Sequence, residues 1–316
     1  MLTEAELIII EKAAIQLAQE SGKLLMSYFR RPLDVTYKLD NQRSPVTDAD
    51  YASNQYLQTE INRQFPSHSI LSEESEEGPD DSGKSEITWV LDPLDGTSNF
   101  MNGLPIFGVS IGVLEQGRPV VAAIFLPSVT NKFGDVYHAR AGGGAFCNNQ
   151  PLAKLGDGPL PTNSILVAMP SFFLRMFNFR DPIRRYIGDI RSTGSIAHDL
   201  AQIADGVFKY AVQSRPWIWD VAAGVLLVQE AGGTVLELKA SPKRWVAFES
   251  FAKNSNDSTV TISMLRNWRE VLVVGNDAAA HYISSSLSIR RNLIFRARFK
   301  FKIWLERRRQ KTKSPS

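Results

Sequence analysis

An α/β fold is the class this sequence predicts, and three observations predict it. Two amphipathic helical patterns occupy the start of the chain. Apolar runs punctuated by turn signals fill 106–140, as consecutive strands would. Beyond Pro151, strand-like and helix-like stretches alternate, the pattern of helices laid on a sheet. The bulk numbers agree. A chain of 316 residues, 43% hydrophobic and 22% charged, has the length and composition to bury a large core.

Taken in order, residues 4–30 form a helix with Leu7, Ile10, Ala14, Leu17, Leu24 and Tyr28 at helical spacing. A second helix runs over 48–64, opened by the capping-type Thr47 or Asp48 and closed before Pro66. Ser69-Ile70-Leu71 is a short strand that ends in an acidic stretch, and 75–86 is a polar, acidic loop. The AGGGA stretch at 141–145 makes a tight connection. The second half supplies strands near 164–168, 207–212, 234–238 and 270–274, with helices over 195–205 and 221–230. Gly232-Gly233 caps the latter helix. The polar stretch 250–262 reads as a loop or insertion. The expected organisation is an N-terminal half over 1–150, a C-terminal half over 151–285 and a basic tail over 286–316, with a seam near 147–155.

Charge is unevenly spread. Residues 290–316 hold eleven Lys or Arg and one Glu, hence +10, which leaves −7 for the rest of a chain whose formal total is +3. A mildly acidic body argues against a nucleic-acid-binding surface there. In the tail Phe295, Phe299, Phe301, Ile303 and Trp304 interleave with cations. That mixture suits an anionic membrane surface or RNA, and equally a solvated extension. The single cysteine, Cys147, cannot form an internal disulfide, and the N-terminal stretch lacks a basic leader. No apolar run approaches the ~20 residues of a membrane span. A cytoplasmic protein is expected.

Four acidic sites resist a structural explanation. Asp50 follows PVTDA, Glu73-Glu74 follow SIL, Asp92 and Asp95 follow WVL, and Asp220 follows WIW. Each lies at the end of an apolar element, where a lone carboxylate is costly. A solvated Asp-Pro-Gly turn would account for DPLDG in isolation, and a helix N-cap would account for Asp220. A hard divalent cation accounts for all four. Mg²⁺ takes carboxylate and water oxygens and leaves room for a phosphate. Pro93 stiffens the turn, so Asp92, Asp95 and the Leu94 carbonyl can face one point, and Gly96-Thr97-Ser98 opens a helix whose N–H groups suit a phosphate oxygen. Four histidines and one cysteine argue against zinc. Metal-assisted attack of water on a phosphate ester is the chemistry this pattern suggests.

At these residues the chain resembles the Mg²⁺-dependent, lithium-sensitive inositol monophosphatase family over roughly 5–285. DPLDGTSNF is similar to the family's DPxDGTxNF, and WDVAAGVLLVQEAGG to its WDxAAGxxLxxEAGG. SPVTDAD, LSEES and GGGAFCNNQPL match three shorter family segments. The resemblance implies a layered αβαβα sandwich of the sugar-phosphatase type and a homodimer. It implies that Glu73, Asp92 and the Leu94 carbonyl hold the cation that activates water, and that Asp92, Asp95 and Asp220 hold a second on the leaving-group side. Thr97, bonded to Asp50, would orient and deprotonate the water. The Gly96 and Thr97 amides would bind phosphate, with Lys38 above them. RSTGSIA places Gly194 and Ser195 on the alcohol side.

The chain departs from the family in three regions, the first being 213–219 ahead of Asp220. Gln213 stands where inositol-specific members tend to carry a glutamate, so a polyol stays in play and inositol is not assured. SRPWIW before Asp220 adds Arg215, either a surface residue or a cation for a second anionic group. The stretch 239–268 and the basic tail are the other departures. The expected function is Mg²⁺-dependent hydrolysis of an inositol monophosphate or similar polyol phosphate. The same chemistry on histidinol phosphate, fructose bisphosphate or a 3′-phosphonucleotide is the alternative within enzymes. A membrane- or RNA-associated regulatory protein acting through the tail is the alternative of another class.

Overall fold

Thr3 and Glu6 begin the first helix by satisfying each other: Glu6 accepts from the Thr3 amide at 2.7 Å and Thr3 Oγ1 from the Glu6 amide at 3.3 Å. Helix α1 (Glu4–Tyr28) buries Leu7, Ile10, Ala14, Leu17 and Leu25 along one face. In the computed structural model, the described residues are 1–37, 45–75, 86–156, 162–180, 185–240, 243–252 and 260–289. Lys38 and the 290–316 tail therefore lie outside them.

After α1 come β1 (Val35–Tyr37), β2 (Pro45–Thr47) and α2 (Asp48–Gln64), the last opened by a second capping box between Thr47 and Asp50. The next elements are β3 (Ser69–Ser72), β4 (Ile87–Asp95), the short helix α3 (Thr97–Met101), β5 (Gly108–Glu115), β6 (Arg118–Leu126), β7 (Asp135–Arg140), β8 (Gly144–Cys147) and β9 (Gln150–Pro151). Strands β3 to β9 make a seven-stranded sheet in chain order, antiparallel except where β3 runs parallel to β4. The second half comprises β10 (Leu166–Ala168), α4 (Phe173–Met176), β11 (Phe177–Phe179), β12 (Asp189–Arg191), α5 (Ile196–Ala204), β13 (Phe208–Ser214), α6 (Ile218–Glu230), β14 (Thr234–Ala240), β15 (Lys243–Ala247), α7 (Ile262–Arg266), β16 (Val271–Gly275), α8 (Asp277–Ser286) and β17 (Leu287–Ile289). Its six-stranded sheet has the order β12-β10-β13-β16-β14-β15, parallel across the first three strands and antiparallel thereafter. Strand β11 pairs with β17 outside it.

The layers follow from which faces are apolar. Helices α1 and α2 cover one side of the large sheet, and Trp89, Leu91, Ile111, Val113 and Phe125 point at them. Helices α5 and α6 fill the space between the two sheets, where Val90, Leu114 and Ile124 meet Val225 and Leu272. Helix α8 closes the far side against Val271 and Val273. This is the αβαβα arrangement. Helix α6 belongs by sequence to the second half yet rests on the first sheet. Gly112 of β5 permits this: a Cβ there would lie 2.7 Å from the Ala222 Cβ. Any side chain at 112 pushes the helix off, an overpacking cost of ~1–3 kcal/mol.

Several element limits shift. Helix α6 starts at Ile218, three residues before the sequence-based limit, so Asp220 is its third residue and Trp217 its N-cap. Strand β10 is confined to 166–168. Of the stretch 250–262, residues 253–259 lie outside the described set. Ahead of them the chain is packed: Phe251 is buried, with its ring centroid 4.9 Å from that of Trp268. Cys147 is half-buried and its thiol is pushed up to about 11, chiefly by burial, as expected of a packed residue.

Candidate active site

The strand registers bring three carboxylates together. Because β3 runs parallel to β4 with Ser72 beside Leu91, the next residue, Glu73, donates its amide to the Leu91 carbonyl at 3.1 Å and stands alongside Asp92. Across the sheet Asp92 pairs with Ser110 of β5, whose hydroxyl donates to the Trp219 carbonyl at 3.2 Å. That bond holds the first turn of α6 over the strand ends, so Asp220 faces the same point. Its Oδ2 accepts the Trp217 amide at 2.8 Å. Glu73, Asp92 and Asp220 each offer one oxygen within 4.8 Å of the others.

Such crowding is unfavourable without a cation. Burial, then the charges of Glu73, Asp95, Asp220 and Asp50, drive the Asp92 carboxyl well above its usual range. Burial and the charges of Asp95 and Glu73 do the same to Asp220, against a weaker pull from Arg269. Among the described residues no Lys, Arg or His forms an ion pair with Asp92, Asp95 or Asp220. The donor set is all oxygen, so the site fits a hard divalent cation such as Mg²⁺.

Asp95 serves a different set of partners. Its Oδ2 accepts from Ser195 Oγ at 2.8 Å and from the Ala197 amide at 2.5 Å, which ties the end of β4 to the start of α5. Burial pushes its carboxyl up to about 7 despite those two bonds. It is not one of the three residues grouped above. Ser195 also caps α5, accepting the His198 amide at 3.2 Å. Asp50 is held by the Thr47 amide at 2.8 Å and the Thr47 hydroxyl at 2.6 Å, and burial still raises it to about 6. Thr97 Oγ1 lies 3.2 Å from Asp50 Oδ1 and 3.0 Å from the Leu94 carbonyl, so its one proton serves either acceptor. A hydroxyl poised between a carboxylate and a carbonyl is equipped to orient a water.

The turn between these groups is braced on all sides. Gly96 takes φ +88°, and a Cβ there would meet the Ile106 carbonyl at 2.9 Å. Ser53 donates to the Pro93 carbonyl at 2.8 Å. Asn99 donates to both Ile106 and Thr193, at 2.7 and 2.8 Å, fixing α3 to the RSTGSIA loop in which Gly194 lies. Gln213 is buried on β13, and its amide lies against Asp199 without a well-aligned hydrogen bond. Sequence reasoning did not single out Ser53, Asn99 or Asp199 and saw Thr47 only as a helix cap. For Asp199 no local signal exists.

Comparison with known proteins agrees with this geometry. A family model described as the inositol monophosphatase family matches residues 8–269. A relative from Aquifex aeolicus, named fructose-1,6-bisphosphatase/inositol-1-monophosphatase, is 30% identical over 68% of this chain and 81% of its own length. One from Escherichia coli K12, named Nus factor SuhB, is 32% identical over 82% of this chain and 95% of its own. The solved inositol monophosphatase from Anabaena (Nostoc) sp. PCC 7120 superposes with a TM-score of 0.64 at 28% identity, over 88% of this chain and 95% of that one.

Proposed function

The chain belongs to the inositol monophosphatase family of phosphomonoesterases, and from that premise we propose that it removes phosphate from a small polyol ester of the inositol monophosphate type, with Mg²⁺. The observation that carries the reading is the convergence of Glu73, Asp92 and Asp220 within 4.8 Å with no cationic side chain paired to the two aspartates among the described residues. These three, with Asp95 and the Leu94 carbonyl, would hold the cation. When bound, it supplies charge to offset that of the phosphate and the departing oxygen. Thr97, aimed by Asp50, orients the attacking water and passes its proton on. The Gly96 and Thr97 amides and Lys38 bind the phosphate. Gly194, Ser195, Gln213 and Asp220 lie toward the alcohol. A homodimer is part of the proposal.

The test is phosphate release from a panel of phosphomonoesters, including histidinol phosphate, fructose bisphosphate and a 3′-phosphonucleotide, in Mg²⁺. The expected result is turnover of a polyol monophosphate that Asp95→Asn abolishes while the fold survives by circular dichroism. Turnover of no member sinks the enzymatic reading. A second reading, association with RNA or an anionic membrane through 290–316, is supported by the tail's charge of +10 and by the Nus-factor name of the E. coli relative. Deleting 290–316 should then abolish salt-sensitive binding to RNA or anionic vesicles and spare phosphate release.

A further inference from the structure

Helix α2 turns more polar side chains toward the cleft than Asp50 alone. Asp50, Asn54 and Gln58 recur every fourth residue and so share one face, with Ser53 beside them. Each finds a partner in or beside one of the two turns that hold the acids. The β3–β4 ladder ends at Ser72 and Leu91, and the β4–β5 register shifts between Asp92 and Asp95, so both turns lie where regular pairing fails.

The turn that carries Glu73 hangs from Asn54 and Gln58. Asn54 Oδ1 accepts from the Ser72 hydroxyl at 2.7 Å and from Gln58 Nε2 at 3.0 Å. The same Gln58 nitrogen donates to Ser75 Oγ at 3.1 Å. Ser72 is buried; its hydroxyl oxygen accepts the Glu74 amide at 3.4 Å, and its carbonyl accepts the Ser75 amide at 3.3 Å. A serine hydroxyl has one proton, and here it is given to Asn54. Glu73 therefore sits in a turn gripped at both ends by two side chains one helical turn apart. The Asp92–Asp95 turn hangs from the same helix. Ser53 gives its one proton to the Pro93 carbonyl at 2.8 Å, so the 2.6 Å bond between Ser53 and Ser21 of α1 is donated by Ser21. Both serines are fully buried, and a buried carbonyl left without its donor is costly.

We propose that Asn54 is a positioning residue: with Gln58 and Ser53 it makes α2 a gauge that holds the Glu73 turn at cation-binding distance from Asp92, and so sets the affinity of the cleft for the ion. Side chains that orient metal ligands from behind change metal affinity or activity by about 10- to 100-fold when removed. The inference rests on the cation site of the phosphatase reading above, and adds to it residues that touch neither the ion nor the ester.

The Mg²⁺ dependence of Tm for the metal-free full chain gives Kd with no ester present. Asn54→Leu, similar in size but without an acceptor, should raise Kd by about 10- to 100-fold. Ser72→Ala removes the same bond from the strand side without added bulk, should shift Kd the same way, and decides the matter if Asn54→Leu does not fold. Asn54→Asp keeps an oxygen for both donors and should bind Mg²⁺ at least as tightly as wild type. A residue that only supports the fold would lower Tm and leave Kd unchanged. Wild-type Kd in Asn54→Leu or in Ser72→Ala, or a loss in Asn54→Asp as large as in Asn54→Leu, overturns the gauge. Mg²⁺ binding that depends on Asn54, with no turnover of any ester, keeps the gauge and sinks the phosphatase. Turnover with a Kd indifferent to Asn54 does the reverse.

Discussion

The molecule buries carboxylates in two places and treats them oppositely. Glu11 of α1 is enclosed by hydrogen-bond partners, His138 Nδ1 at 2.8 Å and Arg140 Nη1 at 2.9 Å, with the other histidine nitrogen on the Asn148 carbonyl at 2.7 Å. Although burial works against it, the bonds from His138 and Arg140 hold the Glu11 carboxyl below its usual value. Asp92 at the cleft has Glu73, Asp95, Asp220 and Asp50 as its charged neighbours and is driven the other way. The chain has the means to pair a buried acid. At the cleft no Lys, Arg or His among the described residues pairs with Asp92, Asp95 or Asp220, and on the proposed reading a cation would supply that charge; this separates a structural carboxylate from a functional one.

The sharpest way to break this contrast is to neutralise one acid in each place. Asp92→Asn should lower kcat by on the order of 10²–10³, the scale of losing one preorganised electrostatic contact. The metal-free variant should nonetheless melt at a higher temperature than wild type at about pH 8, read by scanning calorimetry, because it relieves like-charge crowding. Glu11→Gln should do the opposite: a loss of roughly 3 kcal/mol in urea unfolding, the scale of breaking a buried pair, with kcat per folded molecule retained.

Next in size is the response to Mg²⁺ and pH. The cleft acids have folded values raised above 3.8, to about 6 for Asp50 and about 7 for Asp95, so their contribution is fully present below 3.8 and lost as pH rises through those values. Metal-free protein should therefore lose stability from this region between about pH 4 and about pH 8. Mg²⁺ at about a hundred times its dissociation constant should restore about 2.7 kcal/mol at about pH 8 and much less at about pH 5. Glu11 has the reverse sign: its contribution is present above 4.5 and lost as pH falls through its lowered value. A Mg²⁺ effect equal at both pH values would remove the distinction. The smallest expected change is Ser195→Ala, which removes one of the two hydrogen bonds on Asp95 Oδ2 and should weaken Mg²⁺ affinity or activity by about 10- to 100-fold, measured by Mg²⁺ titration of the rate.

Much of the cleft was legible because its acids announce themselves locally. DPLDGTSNF places two aspartates at a strand end beside a left-handed glycine, and no ordinary strand tolerates that. The layer order came from the family resemblance, not from periodicity: helix α6, buried nearly all round between the two sheets, has no single apolar face to mark its layer. What escaped was whatever depends on register. Asp199 and Arg269 acquire their neighbours only when β13, β16 and α5 are assembled, and nothing next to them in the chain marks it. The start of α6 was misplaced because WIW reads as apolar without a helical period, and its N-cap, Trp217, lacks a capping oxygen. Helix α8 was missed for a related reason: DAAAHYISSS is small and polar, with few residues to display periodicity.

The seat of α6 on β5 has a consequence for the order in which the protein comes into being. Glu73 and Asp92 leave the ribosome long before Asp220, and until α6 settles against Gly112 they face each other without their third partner. The cation site therefore depends on a long-range contact, between residues 73–92 and residue 220, that closes slowly by chance. Hydrolysis cannot begin on a partly made chain, and a metal ion that prefers the finished triad would tie α6 to the first sheet from the moment they meet.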